Sequence, residues 1–291
     1  MHKSGFVNII GNPNVGKSTL MNELVGEKIS IITEKSQTTR HRILGIVSGD
    51  DFQIVYSDTP GIIKPSYKLQ EKMMNSVTTS FEDADVFLYV SDVIETPSKN
   101  IEYIQKLSKV NVPVICLINK IDLADPQKLE EIQKFWKENL PNSEIYAISA
   151  LKKFNIEGLF DRIIELLPQG PAWFPKDQLT DKTERFIVSE IVREKIFKNY
   201  QKEIPYSSEV AVEEFKEEEK IIRIKVVIIV ERQSQKGIII GHKGASIKRV
   251  GTQARMDIET FFGKKVFIEM FVKVKKDWRD NDNNLRDFGY V

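Results

Sequence analysis

Residues 11–18 constrain the fold of this chain more than any other stretch of its sequence. They read Gly-Asn-Pro-Asn-Val-Gly-Lys-Ser and fit the pattern G-x-x-x-x-G-K-[ST]. An apolar segment, Phe6–Ile10, precedes the pattern, and a helical pattern, Lys17–Val25, follows it. Glycines in such a loop let backbone N–H groups curl around phosphate oxygens, and the helix N-terminus adds its positive end. The sequence therefore predicts a phosphate-binding loop between a strand and a helix.

Each side chain of this loop can be given an expected role. Lys17 is expected to reach the β- and γ-phosphates of a nucleotide, and the Ser18 hydroxyl is expected to bind Mg²⁺. The predicted nucleotide contacts of the loop are Gly11, Asn12, Pro13, Asn14, Val15, Gly16, Lys17 and Ser18.

Composition narrows the class of protein. The 291 residues are 41% hydrophobic and 29% charged, which is too apolar for a disordered chain and too charged for a membrane protein. No strictly apolar run exceeds five residues, whereas a bilayer span needs about 20. The single cysteine, Cys116, lies in an apolar run, as is typical of a reduced cytosolic protein. The length indicates two domains.

Strand and helix patterns alternate over residues 1–167, which predicts an α/β domain with a mostly parallel sheet covered on both faces. The expected buried strands are Phe6–Ile10, Phe52–Ser57, Val86–Val90, Val114–Ile118 and Glu144–Ile148. Several prolines and a glycine then predict a linker at residues 168–180. Residues 181–291 are expected to form a small α+β domain, because their helices and half-buried strands follow a different order.

Three further motifs follow predicted strands of the first domain. The motif Asp58-Thr59-Pro60-Gly61 places a carboxylate where it can hold Mg²⁺ through water, and Gly61 can offer an N–H to a γ-phosphate. In Asn119-Lys120-Ile121-Asp122, the Asp122 carboxylate can accept hydrogen bonds from guanine N1–H and the 2-amino group, which adenine cannot offer. Ser149-Ala150-Leu151 is placed for a backbone contact to guanine O6. Together the motifs resemble the translation-factor class of GTPases.

The polar stretch 33–42 lies where such GTPases keep their first switch loop. A threonine there binds Mg²⁺ when the γ-phosphate is present, and resemblance to related GTPases favours Thr39 over Thr38. Ras-like proteins orient the attacking water with a glutamine directly after the DxxG glycine, but this chain has Ile62 there. The catalytic group is therefore unassigned, and slow intrinsic hydrolysis is expected. Asn14 is either a K⁺ ligand, as in related GTPases, or a turn-forming residue.

The second domain carries Gly241-His242-Lys243-Gly244 before a basic helical pattern. A KH domain uses a GxxG turn of this kind, in the order helix, strand, strand, helix, turn, helix, strand, to clamp a single RNA strand. Residues 232–276 hold 11 Lys and Arg against 3 Asp and Glu, a net charge of +8 that attracts polyanions. The predicted RNA contacts are Gly241, His242, Lys243, Gly244, Lys248 and Arg249.

The GTPase motifs, the element Gln37-Thr38-Thr39-Arg40-His41-Arg42 and the GxxG domain together resemble the Era family of bacterial ribosome-assembly GTPases, over nearly the whole chain. The resemblance implies a type II KH fold, binding of 16S rRNA near its 3′ end and a role in maturation of the 30S subunit. It also implies a cytoplasmic, monomeric protein with peripheral contact to the inner membrane.

Two other functions remain open from the residues alone. The chain could be an RNA-binding protein that uses nucleotide only for stability, in which case RNA would leave GTP turnover unchanged. A tRNA-modifying GTPase would share the switch motifs but needs a modification module, for which residues 171–291 offer no cysteine.

Overall fold

A computed structural model describes residues 1–95 and 99–290, which form two compact units. The first unit comprises Met1–Pro65 and Met73–Asp181, and the second comprises Ser66–Lys72 and Lys182–Val291. In the described part of the chain, no helix combines the length and the apolar character needed to span a bilayer.

The first unit contains a six-stranded sheet in the order β2-β3-β1-β4-β5-β6. All neighbouring strands are parallel except β2, which pairs antiparallel with β3 at one edge. The strands are β1 Lys3–Gly11, β2 Ile43–Ser48, β3 Phe52–Asp58, β4 Val86–Asp92, β5 Val114–Asn119 and β6 Glu144–Ala147. The helices are α1 Lys17–Val25, α2 Lys68–Thr79, α3 Ile101–Leu107, α4 Pro126–Asn139 and α5 Ile156–Leu166, of which α2 begins in the second unit.

Burial explains the position of the strands. Every residue of β4 and of β5 is buried, as expected of continuous apolar strands in a sheet covered on both faces. Helix α4 shows how the sequence sets a helix start: the Asp125 carboxylate accepts the Lys128 N–H at 2.8 Å, and Pro126 occupies the first turn. The parallel strands bring their carboxyl ends, and the motifs that follow them, to one edge of the sheet.

Residues 168–180, the predicted linker, are hydrogen-bonded within the first unit. The Ser4 N–H donates to Pro168 O at 3.0 Å, and the Ile46 N–H donates to Leu179 O at 2.8 Å. The Gln53 side chain bonds the backbone of Trp173 and Phe174. These contacts hold the segment against the strands β1 to β3.

The second unit packs helices on one face of a three-stranded sheet in the order β7-β8-β9. Strands β7 and β8 are antiparallel, whereas β8 and β9 are parallel. The elements are α6 Glu184–Asn199, α7 Ile204–Ser207, β7 Glu209–Glu217, β8 Ile221–Val230, α8 Gln233–Ile240, α9 Ala245–Phe262, β9 Lys265–Val274 and α10 Asp282–Asp287.

Buried residues alternate along β8 and partly along β9. The inward residues of β8 are all at most 2% exposed, namely Ile222, Ile224, Val226, Ile228 and Val230. On β9, Val266 and Val272 are buried, but Val274 is 41% exposed because it ends the strand beyond the helices. The core of this unit therefore lies between β8 and the helices α6, α8 and α9.

Candidate functional site

The loop between β1 and α1 depends on its two glycines. Gly11 and Gly16 have φ angles of 152° and 98°, which residues with a Cβ rarely adopt. A Cβ at Gly11 would lie 2.2 Å from Val90 O, and a Cβ at Gly16 would lie 2.3 Å from Asn119 Nδ2. The loop thus approaches its neighbours too closely for any larger residue.

Lys17 is buried beneath this loop. Its Nζ donates to Gly11 O at 3.1 Å and to Asn12 O at 2.8 Å. Burial lowers the pKa of Lys17 to about 8, an effect opposed by the nearby carboxylates of Asp58 and Glu95. A desolvated ammonium group in a loop of backbone N–H donors is suited to an anionic ligand.

Three oxygen-bearing side chains from separate segments meet beside Lys17. Ser18 Oγ donates to Asp58 Oδ2 at 2.6 Å, and Thr39 Oγ1 lies 2.9 Å from Ser18 Oγ and 3.4 Å from Asp58 Oδ2. Asp58 is fully buried, and burial raises the pKa of its carboxyl group, opposed by the Ser18 hydrogen bond and the charge of Lys17. Its Oδ1 has no hydrogen-bond partner among the described residues. Hydroxyl and carboxylate oxygens around an unpaired buried acceptor fit a Mg²⁺ ion.

Thr38 points away from this cluster. Its hydroxyl donates to Lys35 O at 2.6 Å and lies 2.5 Å from Thr33 Oγ1. The structure therefore brings Thr39, and not Thr38, to Ser18 and Asp58.

The loop after β3 packs directly on the phosphate-binding loop. Thr59 Oγ1 donates to Ile9 O at 2.8 Å, and a Cβ at Gly61 would lie 2.7 Å from Pro13 Cα. The Ile62 N–H donates to Gly11 O at 3.1 Å, and its side chain is buried. The position that holds glutamine in Ras-like proteins is thus occupied by a hydrocarbon side chain.

Residues of the Asn119–Asp122 motif connect the loops at the carboxyl ends of the strands. Asn119 Nδ2 donates to Val15 O at 2.8 Å, and its Oδ1 accepts the Ala150 N–H at 3.0 Å. Lys120 Nζ donates to Asn14 O at 2.6 Å and to Asp92 Oδ2 at 2.5 Å. The motif therefore holds the phosphate-binding loop and the 149–151 loop together.

Asp122 is exposed beside the same loops. Its Oδ1 accepts the Ser149 hydroxyl at 2.6 Å. Ile121 is held in a turn by its N–H, which donates to Ile148 O at 3.3 Å, and Leu151 is 74% exposed. A carboxylate fixed in orientation and open to solvent can accept hydrogen bonds from a planar base.

Asn14 has a left-handed backbone conformation, with φ of 65°. Its Nδ2 donates to Glu34 O at 2.9 Å. Asn14 therefore serves the turn and also joins the phosphate-binding loop to the 33–42 loop.

The GxxG turn lies between α8 and α9 in the second unit. Gly241 has φ of 72°, and a Cβ there would lie 2.3 Å from Ser246 Oγ. Gly244 has φ of 77° and open space around it. His242 and Lys243 are exposed between the glycines, and Lys248 and Arg249 are exposed in α9. The turn thus presents bare backbone and positive charge to solvent.

A groove of about 530 Å³ lies between α9 and β9, and its lining begins at Ile247, three residues after the turn. Its lining includes the apolar side chains of Ile247, Ile268 and Met270, with Lys248 and Arg255 also lining it. A Cβ on Gly251 would lie 2.9 Å from Met270 Sδ, so this glycine lets the helix approach the strand. An apolar floor with cationic side chains suits the bases and phosphates of a single nucleic-acid strand.

Comparison with known proteins follows the same division of the chain. A family model described as 50S ribosome-binding GTPase matches residues 6–120, and a KH domain model matches residues 203–279. GTPase Era of Clostridium kluyveri is 44% identical to the chain over 292 residues, which cover 100% of each protein. The chain belongs to the Era family of GTPases.

Other Era proteins are similar to this chain over nearly the whole length of both proteins. GTPase Era of Staphylococcus haemolyticus is 44% identical over 292 residues, which cover 100% of this chain and 98% of the relative. A crystal structure of Era in complex with MgGDPNP and nucleotides 1506–1542 of 16S ribosomal RNA has a TM-score of 0.95, 40% identity and 100% coverage of both chains. A crystal structure of a tyrosine-to-alanine variant of Aquifex aeolicus Era bound to GDP and AlF4⁻ also has a TM-score of 0.95 and 40% identity, with 99% coverage of both chains.

Membership of the Era family confirms three predictions. The family itself was predicted from the motifs, and the fold class, a P-loop GTPase domain with a mostly parallel sheet followed by a KH domain, is confirmed. The chain is a GTPase, as predicted, which excludes the non-enzymatic alternative.

Three side chains at the candidate nucleotide site, those of Asp92, Glu95 and Asn100, were not predicted from the sequence. Asn12 Nδ2 donates to Glu95 Oε2 at 2.6 Å, and Asn100 Nδ2 donates to Asn12 Oδ1 at 2.5 Å and to Ile62 O at 3.2 Å. Asp92 binds Lys120 at the end of β4. Only Asp92 carried a usable signal, because an acidic residue at the carboxyl end of a buried parallel strand lies at the edge where the other motifs meet.

The adjacent aromatic residues Phe261 and Phe262 lie in different environments. Phe262 packs against the core of the second unit, but Phe261 is 40% exposed because neighbouring residues of α9 face different sides.

Proposed function

We propose that this GTPase is a molecular switch that binds 16S rRNA near its 3′ end through the KH domain and assists maturation of the 30S subunit. The observation that carries the proposal is the pairing, in one chain, of the Ser18–Thr39–Asp58 cluster with an exposed GxxG turn beside an apolar groove. The complex of a full-length relative with 16S rRNA nucleotides supports the choice of RNA.

In the proposed nucleotide site, backbone N–H groups of residues 11–18 surround the phosphates and Lys17 neutralises them. Asp122 accepts hydrogen bonds from guanine, while Asn119 and Lys120 hold the loops around the base. The remaining contacts come from Thr59, Pro60, Gly61, Ile121, Ser149, Ala150 and Leu151. Of these, Gly61 would donate its N–H to the γ-phosphate, and the backbone of Ser149, Ala150 and Leu151 would contact guanine O6.

Ser18 and Thr39 would hold Mg²⁺ directly, and Asp58 would hold it through water. The ion neutralises the charge that develops on the phosphate oxygens during hydrolysis. Thr39 and Gly61 lie in the two loops that release when the γ-phosphate leaves, so hydrolysis changes the state of the switch.

Asn14 is the proposed ligand of a K⁺ ion beside the phosphates. The side-chain oxygen Oδ1 of Asn14 is the available ligand atom, because the side-chain nitrogen Nδ2 donates to Glu34 O. A monovalent cation there would supply positive charge that other GTPases take from an arginine. The water-orienting group remains unassigned.

In the KH domain, the proposed RNA contacts are Gly241, His242, Lys243, Gly244, Lys248 and Arg249. The strand's phosphates approach the bare backbone of the turn, and its bases enter the groove between α9 and β9. The net charge of +8 over residues 232–276 adds attraction that depends on salt.

Replacement of the middle of the turn by carboxylates tests this proposal. His242→Asp combined with Lys243→Asp should strongly weaken binding of a single-stranded RNA with the 16S 3′-end sequence, because carboxylates repel phosphates. GTP affinity should be unchanged. Lys216→Asp combined with Lys220→Asp is the control, since these exposed residues lie in the same unit but outside residues 232–276.

Fluorescence anisotropy at several salt concentrations measures both effects. Lys248→Ala or Arg249→Ala should each lower the log–log salt slope by about 0.7, the single-strand value for one neutralised charge. If the double aspartate variant binds RNA like wild type at every salt concentration, the RNA site lies elsewhere.

A monomeric state, a cytoplasmic location and peripheral contact with the inner membrane are further parts of the proposal and rest on the family resemblance. Size-exclusion chromatography with light scattering tests the first, and fractionation of cells at low and high salt tests the other two.

A further inference from the structure

The C-terminal tail, residues 275–290, is firmly anchored in the second unit. Trp278 is fully buried, and its Nε1–H donates to Ser207 O at 3.0 Å. Leu285 is also fully buried, and the Tyr290 hydroxyl donates to Glu209 Oε2 at 2.6 Å. The tail is therefore held against the β-sheet of this unit, and so is any segment that the tail binds.

The tail binds residues 66–72, which the structure assigns to the same unit. The guanidinium of Arg279 lies 4.8 Å from the centroid of the Tyr67 ring, within the range of a cation–π contact. Lys68 contributes two hydrogen bonds: its backbone N–H donates to Asp280 Oδ1 at 3.2 Å, and its Nζ donates to Asp282 Oδ2 at 2.5 Å. We call these contacts the tail tie.

Two residues of the tail tie, Tyr67 and Lys68, lie close in sequence to Gly61, the proposed γ-phosphate contact. Gly61 is six residues before Tyr67, and the Ile62 N–H is already bonded to Gly11 O of the phosphate-binding loop. Five residues beyond Ile62 span at most about 18 Å when extended, and Pro65 restricts this stretch further. A shift of the Gly61 loop can therefore reach Tyr67 and Lys68 through five residues of chain.

The tail tie is also connected to the GxxG turn. Arg279 donates from Nε to Glu231 Oε1 at 3.0 Å and from Nη2 to Glu231 Oε2 at 2.5 Å. The Glu231 N–H donates to Gln235 Oε1 at 3.0 Å in the first turn of α8. Helix α8 ends at Ile240, and Gly241 follows directly. Arg279 thus contacts Tyr67 on one side and the start of the helix that leads to the turn on the other.

We propose that the tail tie transmits the nucleotide state of the first unit to the RNA-binding turn of the second. This inference rests on the proposed function, since it requires both GTP and RNA binding. A change in the Gly61 loop alters the Tyr67–Arg279 and Lys68–Asp282 contacts, and through Glu231 it alters the position of α8.

The ratio of RNA affinities with a non-hydrolysable GTP analogue and with GDP measures the coupling. Anisotropy with the 16S 3′-end RNA should give a ratio that differs from one by at least about fivefold in the wild type, the low end of common coupling factors. Lys68→Ala, Asp282→Ala and Arg279→Lys should each bring the ratio within about twofold of one. Lys68 and Asp282 have exposed side chains, so their removal leaves the fold intact.

Lys264→Ala is the matched control, because Lys264 forms an ion pair with Glu217 at 2.8 Å in the same unit without touching residues 66–72. It should keep the wild-type ratio. The double variant of Lys68 and Asp282 should lose no more coupling than either single variant, since both belong to one contact.

The outcomes separate this inference from the proposed function. If the wild type shows coupling and the Lys68, Asp282 and Arg279 variants keep it, the tail tie is a structural anchor only and the inference is wrong. If the wild type binds RNA equally in both nucleotide states, there is no coupling to transmit and the inference also fails. If it does not bind RNA at all, the proposed function itself fails.

Discussion

At the scale of single residues, Asp122 shows how a side chain proposed to bind the base is oriented. The Ser149 hydroxyl occupies one position on Oδ1 and fixes the carboxylate, while the exposed remainder can accept two N–H groups of a base. Asp122→Asn would replace an acceptor by an N–H donor. GTP binding should weaken strongly and preference should shift to xanthosine triphosphate, whose 2-oxo group accepts from the amide.

Competition of both nucleotides against a fluorescent GDP analogue measures this preference. Asp125→Asn is the control, because Asp125 caps α4 three residues later and an asparagine caps equally well. Unchanged GTP affinity in the Asp122 variant would show that the base is read elsewhere.

The K⁺ proposal can be tested by a substitution of Asn14 that preserves the backbone conformation of this residue. Because φ is 65°, Asn14→Gly removes the side chain without strain, whereas alanine would add strain. Wild-type hydrolysis should be faster in K⁺ than in Na⁺, and the glycine variant should show no difference. Asn155→Gly, at a second left-handed asparagine in the same unit, should keep the difference. Equal wild-type rates in both salts would refute the proposal.

The sequence predicted the residues of the candidate nucleotide site because each motif has a fixed spacing and follows a buried strand. It left Thr38 and Thr39 open, since neighbouring residues in an irregular loop have no periodicity to orient them. The conformation of the loop distinguishes the two threonines, because the Thr38 hydroxyl is hydrogen-bonded to Lys35 and Thr33. Glu95 and Asn100 could not be predicted from the sequence. They lie 83 and 88 residues from Asn12 along the chain and contact it only in the folded structure.

At the scale of elements, the parallel strands were predictable, whereas β2 and α8 were not. Strand β2 contains Gly45, whose Cβ would lie 2.6 Å from Ile29 Cδ1, so packing rather than β-propensity places it. In α8, Ile238–Ile240 form a β-branched run that favours a strand by itself. The structure makes it helical, because Ile239 is fully buried in the core shared with α6 and α9.

Trp278 anchors the tail as an element. Trp278→Ala should destabilise the tail by about 3–5 kcal/mol, the usual cost of removing a buried tryptophan, and leave Ser207 O unpaired. Hydrogen exchange of the Lys275 N–H, which donates to Val230 O, reports this loss locally. Trp173→Ala should cost about 1 kcal/mol or less, because this residue is 62% exposed. Unchanged exchange at Lys275 would contradict the anchoring role.

At the scale of the whole molecule, the candidate nucleotide site lies in the first unit and the GxxG turn in the second. GDP with Mg²⁺ at 100 times its Kd should stabilise the first unit by about 2.7 kcal/mol. The slowest amides of β1, β4 and β5 should therefore exchange about 100-fold more slowly. ATP at the same concentration is the control and should give no protection. Equal protection by both nucleotides would contradict the guanine assignment.

The hydrogen bonds from Asn119 to Val15 and from Lys120 to Asn14 have a consequence for ligands smaller than GTP. They join residues 119–122, the proposed base-binding segment, to the phosphate-binding loop, so a fragment bound in one of the two proposed subsites should also order the other. Guanosine and pyrophosphate should then each bind more tightly in the presence of the other, although no covalent bond joins them. An inhibitor that reached only the base pocket would gain affinity from cellular phosphates, without carrying a charged group across a membrane.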